Sequence, residues 1–245
     1  MKIIFLGTGH GVPQAERHCT CTMIECGGAL YLLDAGAPVS DILAQRSRTP
    51  ERIRAVFTTH IHGDHTYGLI PLCSTASWYY TKADFDVYLT EEEGIDAVRQ
   101  VLLVTTKSFC EERIRLRLVQ PGAFYRDENI TVTAIPTRHM APYPSYAFVI
   151  EGDGKRVILC GDLLHGSAAD FPQIAKDEPS DAVICELCHF PPSVILPIAA
   201  ACPTKHFFFH HVWGNIEANL AAVAEFAKDA PMRVTAPKDG EEYEI

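Results

Sequence analysis

The sequence predicts an α/β fold of the α+β kind, in which two β-sheets pack face to face and helices cover their outer surfaces. Two observations indicate this arrangement. Short apolar, strand-like segments alternate with helical ones, and both halves of the chain contain several strands followed by helices. No linker, low-complexity segment or repeat divides the 245 residues, so we expect a single domain over 1–245.

The individual elements follow from their local patterns. In the first half, strands are predicted at 2–7, 20–26, 29–34, 54–58 and 86–89, and helices at 37–47, 67–80 and 91–107. Gly27-Gly28 is typical of a hairpin turn between the second and third strands. In the second half, strands are predicted at 114–119, 129–135, 145–151, 155–160, 181–185 and 204–210, and helices at 193–201 and 215–228.

Composition restricts the class of partner. The chain has 31 acidic and 21 basic residues and a formal net charge of −10, which argues against extensive contacts with a nucleic-acid backbone. No apolar run approaches the roughly 20 residues that span a bilayer, and the start of the chain does not resemble a signal peptide. We therefore expect a cytoplasmic protein with no membrane contact and with reduced thiols.

The densest group of ligand-type side chains is His60-x-His62-x-Asp64-His65, directly after an apolar strand. At an extended strand end, His60 and His62 point to the same side and can bind one ion together. Gly63 allows a sharp turn, so Asp64 and His65 can face a second ion. Structural zinc sites favour cysteine ligands, and no cysteine flanks this run, so a structural site is not indicated. The pattern predicts two metal ions and hydrolytic chemistry.

Further candidate ligands follow other predicted strands. They are Asp34 in Leu33-Asp34-Ala35-Gly36, His139, Asp162 after Gly161, and the pair His210-His211. An Asp before Gly is by itself typical of a turn. The recurrence of His or Asp at strand ends indicates that these side chains converge on one rim, where Asp162 could bridge two cations.

Together these residues resemble the metallo-β-lactamase superfamily, whose fold is a four-layer αββα sandwich. The resemblance covers essentially the whole chain in the family's order. It implies that His60, His62 and His139 bind one metal, and that Asp64 and His65 bind the other with a late histidine. The two divalent ions would be zinc, with manganese or iron as alternatives.

The resemblance also implies roles for the remaining strand-end residues. Asp162 would bridge the two metals, and Asp34 would orient ligands from behind. Alignment with the histidine that ends the corresponding strand in ribonuclease Z favours His211 as the last ligand. His210 is the alternative.

The opening run Gly7-Thr8-Gly9-His10-Gly11-Val12-Pro13 resembles ribonuclease Z and related small phosphodiesterases. This implies metal-assisted hydrolysis of a phosphodiester, in which the ions polarise a phosphoryl oxygen and acidify a water. The candidate catalytic residues are Asp64, Glu186 and His189. The last two match the family's Glu and downstream His, although the family's Gly-His-Ser-Thr element is absent and His189 could instead cap the turn before the Pro pair.

Ribonuclease Z carries a glycine- and proline-rich arm that holds RNA, and no matching insertion occurs here. With the acidic charge balance, this favours a small or nucleotide-type phosphodiester, such as a cyclic nucleotide, over extended nucleic acid. The alternatives are a thioester or lactone hydrolase that uses the same metal centre and a non-catalytic, metal-dependent ligand sensor. The resemblance also leaves a homodimer open.

Overall fold

The computed structural model describes residues 1–107 and 109–245. Two mixed β-sheets pack against each other and helices cover their outer faces, which confirms the predicted fold class. In chain order, the first six strands, which all belong to the first sheet, are β1 (Lys2–Gly7), β2 (Cys21–Cys26), β3 (Ala29–Leu33), β4 (Ile53–Phe57), β5 (Phe85–Leu89) and β6 (Ile114–Leu118). Those that follow are β7 (Gly122–Arg126), β8 (Thr131–Pro136), β9 (Tyr146–Gly152), β10 (Lys155–Leu159), β11 (Ser180–Leu187), β12 (Thr204–Val212), β13 (Arg233–Thr235) and β14 (Glu242–Glu244).

The helices are α1 (Val39–Gln45), α2 (Gly63–Thr66), α3 (Leu69–Trp78), α4 (Glu92–Thr106), α5 (Ile174–Asp177), α6 (Pro192–Ala200) and α7 (Ile216–Asp229), with a short 3-10 helix at Pro50–Arg52. No helix in the two described ranges combines the length and the apolar character needed to cross a membrane.

The two sheets have the same internal pattern. The first has the order β14-β1-β2-β3-β4-β5-β6 and the second β13-β12-β11-β10-β9-β8-β7. In each, antiparallel strands lead into a parallel block, β3 to β6 in one and β10 to β13 in the other. The carboxyl ends of parallel strands share one edge of a sheet, so both blocks deliver their strand-end residues to the same side.

Alternating side chains build three apolar layers. Phe208 packs between the sheets with Phe5 and Phe148, whereas its neighbours Phe207 and Phe209 face the layer under α6 and α7. This alternation is the two-residue period of a strand. The third layer lies between the first sheet and the helices α1, α3 and α4. Every strand that carries a candidate ligand is therefore anchored in buried apolar contacts.

Several sequence expectations need correction. The strand before the histidine motif ends at Phe57, so His60 and His62 lie in a loop and not on an extended strand end. The helix expected at 67–80 is α3, which is shorter and spans Leu69–Trp78, and the one-turn helix α2 before it was not expected. Strands β7, β13 and β14 were not expected. Two of them are three-residue edge strands, too short to show a period.

Candidate metal centre

Six strands end at the rim where the candidate ligands gather. The connection after β4 carries the histidine motif, and those after β8 and β10 carry His139 and Asp162. Asp34 follows β3, while Glu186 and His211 lie within the last residues of β11 and β12. Ligands that are far apart in sequence therefore meet because the sheets align their carboxyl ends.

The first donor set brings three imidazoles together. Nε2 of His60 lies 3.0 Å from Nδ1 of His62, which lies 3.3 Å from Nε2 of His139. Oδ2 of Asp162 lies 3.8 Å from Nε2 of both His60 and His139. His60 is buried and His62 is exposed, so this set opens to solvent on one side.

The second donor set combines carboxylates and imidazoles. Nε2 of His211 lies 3.3 Å from Oδ2 of Asp64 and 3.6 Å from Oδ2 of Asp162. Nε2 of His65 lies 3.3 Å from that same Asp162 atom and 3.8 Å from Oδ2 of Asp64. One oxygen of Asp162 thus belongs to both sets.

These separations match those of ligands around a metal. Two ligand atoms of a tetrahedral zinc, each about 2.1 Å from the ion, lie about 3.4 Å from each other. The buried Nε2 of His65 makes no hydrogen bond among the described residues although it faces the Asp162 carboxylate. A donor atom that is buried, unpartnered and aimed at a carboxylate fits a cation between them. The donor set therefore fits two divalent ions.

The protonation of the donor histidines also supports binding of two divalent ions. Burial lowers the pKa of His60, His62 and His139, which keeps these imidazoles in the neutral form that binds metals. Burial opposes protonation of His65 too, but the carboxylates of Asp162 and Asp34 raise its pKa well above the ordinary value. The second set therefore attracts positive charge, which a divalent ion would supply.

Asp34 and Thr59 hold the donors from behind. Oδ2 of Asp34 accepts a hydrogen bond from Nδ1 of His65 at 2.8 Å, and Oδ1 accepts one from the backbone N–H of Thr59 at 2.7 Å. The Thr59 hydroxyl lies 3.0 Å from Nδ1 of His60. Buried partners of this kind fix the orientation of metal-binding rings.

Gly36 brings two segments of this rim into direct contact. A Cβ at this position would lie 1.6 Å from the carbonyl oxygen of Asp64, so only glycine fits here. The Asp-x-Gly element that ends β3 thus packs directly against the backbone of the metal motif.

The structure separates the two late histidines. His210 pairs with Glu186 in the β11–β12 ladder, and the register then shifts so that Val212 pairs with Leu187. His211 is the extra residue of this bulge, with φ of 50°, and its ring turns into the second donor set. His210 is instead buried against Phe5, with ring centroids 6.3 Å apart, and belongs to neither set.

Glu186 and His189 form a pair beside the donors. Oε2 of Glu186 lies 2.7 Å from Nδ1 of His189, and its Oε1 accepts the backbone N–H of Leu163 at 2.7 Å. The Glu186 side chain is fully buried. Burial opposes protonation of His189, but contacts with Cys188 and Glu186 raise the pKa of its imidazole to about 11. The His189 ring is 4.6 Å from that of His139 and 5.7 Å from that of His211, so it lies between the two donor sets.

Two side chains of this region were not singled out from the sequence. His10, in the glycine-rich run, stacks on Trp213 at 5.0 Å between ring centroids and meets the edge of His211 at 5.2 Å. Nδ1 of His10 accepts the backbone N–H of Val12 at 3.1 Å, which fixes the ring. The position of His10 inside a glycine-rich turn could have indicated a functional role. No sequence pattern pointed to Trp213, because its contact with His10 forms only in the folded chain.

A family model described as "Anti-Pycsar protein Apyc1" matches residues 1–191. The chain belongs to this family. The match includes the first donor set, Asp64, His65, Asp162, Glu186 and His189, and it ends before His210 and His211. The choice between the last two histidines therefore depends on the geometry above.

The Apyc1 family member described here is also similar to ribonuclease Z. Ribonuclease Z of Shouchella clausii (strain KSM-K16) is 32% identical over 185 residues, which cover 73% of this chain and 58% of that protein. The chain spans about half the length of such relatives, 46% in the case of ribonuclease Z of Bacillus subtilis (strain 168).

Solved structures with this fold cover the whole chain. The metallo-β-lactamase fold protein YhfI of Bacillus subtilis superposes with a TM-score of 0.80 at 21% identity, covering 99% of both chains. The short form of human tRNase Z superposes with a TM-score of 0.76 at 20% identity, covering 100% of this chain and 99% of that one. The predicted membership of the metallo-β-lactamase superfamily and its ribonuclease Z-like branch is confirmed.

Proposed function

We propose that this protein is a dinuclear metal-dependent hydrolase that cleaves a small or nucleotide-type phosphodiester. The observation that carries the proposal is the shared Oδ2 of Asp162, which lies within 3.8 Å of donor atoms from both sets. A single carboxylate oxygen common to two donor sets suits a pair of ions close enough to act on one substrate group.

His60, His62 and His139 would hold one ion, and Asp64, His65 and His211 the other, with Asp162 common to both. When bound, such ions polarise a phosphoryl oxygen and lower the pKa of a water. Zinc is the expected metal, with manganese or iron as alternatives, because imidazole-rich sites accept all three.

His189 supplies the group that can protonate the leaving oxygen. Its Nδ1 is engaged by Glu186, so Nε2 is the nitrogen left to face a substrate. Glu186 also accepts the backbone N–H groups of Leu163, Cys188 and His189. It therefore acts through His189 as a positioning residue and does not reach the reacting atoms itself.

Surface charge supports a small substrate. The densest group of basic residues consists of Arg113, Arg115 and Arg117. Each of their side chains is bound to other residues of the chain. Arg115 and Arg117 form ion pairs with Asp86, and Arg113 donates to the backbone carbonyls of Ser77, in α3, and Ala83, in the segment after it. These three arginines are therefore not free to follow a phosphate backbone, and the net charge of −10 also disfavours one.

A substrate panel tests the proposal. Metal-loaded protein is assayed on bis(p-nitrophenyl) phosphate, 2′,3′- and 3′,5′-cyclic nucleotides, a thioester and a lactone. We expect turnover of the phosphodiesters, its loss in Asp64→Ala, and its retention in the matched exposed variant His18→Ala. Turnover of only the thioester or lactone would replace the proposal with carbonyl hydrolysis. Metal binding with no turnover at all would indicate a sensor.

Three further sequence predictions stay part of the proposal. They are a single domain over 1–245, a cytoplasmic location and a homodimer. The pairing of β1 with β14 joins the two ends of the chain in one sheet and supports the first of these.

A further inference from the structure

A cavity of about 700 Å³ lies beside the first donor set. Its wall includes Ile61, which lies between His60 and His62, and Pro142, in the segment that follows His139. Small-molecule sites occupy roughly 300–1,000 Å³. The cavity is therefore large enough for the organic part of a substrate whose reacting group lies at the metals.

The wall of this cavity is fixed to the metal motif. Gly94 in α4 is buried, and a Cβ there would lie 2.7 Å from Cδ1 of Ile61. The start of α4 thus packs closely against the loop that carries His60 and His62. Because His62 is exposed, the first donor set opens to solvent at this loop, whose Ile61 lines the cavity.

One wall offers an aromatic ring. Tyr143 lines the cavity between Pro142 and Pro144 and is 61% exposed, although it is a large side chain. The flanking prolines restrict the backbone, so the ring is presented with little loss of conformational freedom. A planar base can stack on such a ring whatever its sequence identity.

The cavity lining also includes carboxylates. Glu91 and Glu93, at the start of α4, line the cavity. Glu91 makes no capping hydrogen bond, and neither residue forms an ion pair within the described parts of the chain. Carboxylates only accept hydrogen bonds, so they repel phosphate and favour a donor such as an amino group.

We propose that this cavity holds the base of a nucleotide substrate, stacked on Tyr143, with an exocyclic amino group donating to Glu91 and Glu93. The inference rests on the proposed function, because it requires the phosphodiester to lie at the metal centre. Cytosine and adenine carry such an amino group, whereas uracil presents a carbonyl oxygen at the same place.

Stacking is tested with Tyr143→Ala. We expect the KM for 3′,5′-cyclic CMP to rise about tenfold, the loss of one base–aromatic stack. The kcat at saturating substrate and the metal content should be unchanged, because Tyr143 does not contact the reacting group. The matched variant is Tyr79→Ala, a tyrosine that is 81% exposed and lines a different cavity. An unchanged KM in Tyr143→Ala, or an equal rise of KM in Tyr79→Ala, would overturn the stacking role.

The carboxylate contact is tested by the ratio of KM values for cyclic UMP and cyclic CMP. We expect the unaltered protein to favour cyclic CMP by about tenfold or more, the effect of a hydrogen bond to a charged group. Glu91→Gln with Glu93→Gln should bring the ratio toward one. Glu92→Gln, which removes a neighbouring charge outside the cavity wall, should preserve it. A ratio of one in the unaltered protein, or one that survives the double change, contradicts the contact.

Bis(p-nitrophenyl) phosphate distinguishes a failure of the proposed hydrolase activity from a failure of the base site alone. If metal-loaded, unaltered protein hydrolyses neither this compound nor the nucleotides, the proposed function fails and the base site fails with it. If it hydrolyses both and Tyr143→Ala changes nothing, only the base site is wrong.

Discussion

Nδ1 of His65 lies 2.8 Å from Oδ2 of Asp34, and this contact directs the other nitrogen of the ring toward Asp162 at 3.3 Å. Asp34 has φ of 59°, a left-handed conformation that is uncommon outside glycine but that Asp adopts more readily than most residues. Its carboxylate also accepts the backbone N–H of Thr59 from the next strand connection. A residue in an uncommon backbone conformation thus sets the direction of the proposed donor atom of His65.

Replacing Asp34 should therefore weaken the second metal site. We expect Asp34→Ala to lower metal affinity about 10- to 100-fold, the usual effect of losing a partner behind a ligating histidine. Competition with a chelator measures this, and Asp41→Ala, an exposed acid in α1, is the control. Equal affinities in the two variants would show that His65 does not need Asp34 to bind.

The two late histidines should behave differently. His211→Ala removes a donor atom of the second set, so we expect it to retain one metal and lose the other. His210→Ala should retain both, because the His210 ring packs against Phe5 away from the donors. Metal content of each folded variant, checked by circular dichroism, decides the matter. Loss of metal from His210→Ala alone would reverse the assignment.

His189 should affect turnover and leave metal binding intact. General acid catalysis contributes typically about 10²- to 10⁴-fold, so His189→Ala should lower kcat within that range on a poor leaving group. The effect should shrink on bis(p-nitrophenyl) phosphate, whose leaving group needs little protonation. If both substrates lose the same factor, or if metal is lost as well, His189 supports the centre in another way.

Asp127 should make stability depend on acid. Burial opposes ionisation of its carboxyl, yet hydrogen bonds from Tyr31, the backbone of Ile130 and Asn129, and Tyr125 lower its pKa. A carboxyl group whose pKa is lower in the folded state than in the unfolded state stabilises the fold when the pH is above the unfolded pKa, which is about 3.9 for Asp. This stabilisation is lost as the pH falls toward the folded-state pKa.

Asp127→Asn should therefore be less stable than the unaltered protein at neutral pH, with a difference in Tm that shrinks below about pH 4. Thermal unfolding between neutral pH and pH 3 measures this. Asp229→Asn, at the exposed end of α7, should show no such convergence. A difference for Asp127→Asn that is independent of pH would show that the carboxylate charge is not what stabilises this turn.

Most donor residues could be predicted because the signals are local. His60, His62, Asp64 and His65 lie within six positions, and His139 and Asp162 each follow an apolar strand that the sequence pattern indicates. The sheets only had to align those strand ends. The expected reason for the pairing of His60 and His62 was wrong, since both lie in a loop shaped by the contact between Thr59 and Asp34.

Other features depend on folding and left no local pattern. The direction of the His211 side chain follows from a bulge that β12 forms only when it pairs with β11. His10 meets Trp213 across about two hundred residues of chain. The cavity combines the start of α4 with the segment after His139. All three features result from packing between segments far apart in sequence, which the periodicity of a single segment cannot predict.

We expect Asp162 to join two metal sites, and metal content tests this most directly. After saturation with zinc and removal of excess, we expect two equivalents per chain in the unaltered protein by plasma mass spectrometry. We expect fewer than one in Asp162→Ala, with the fold retained by circular dichroism, because one oxygen serves both donor sets. A single equivalent in the unaltered protein, or two retained in Asp162→Ala, would contradict the account.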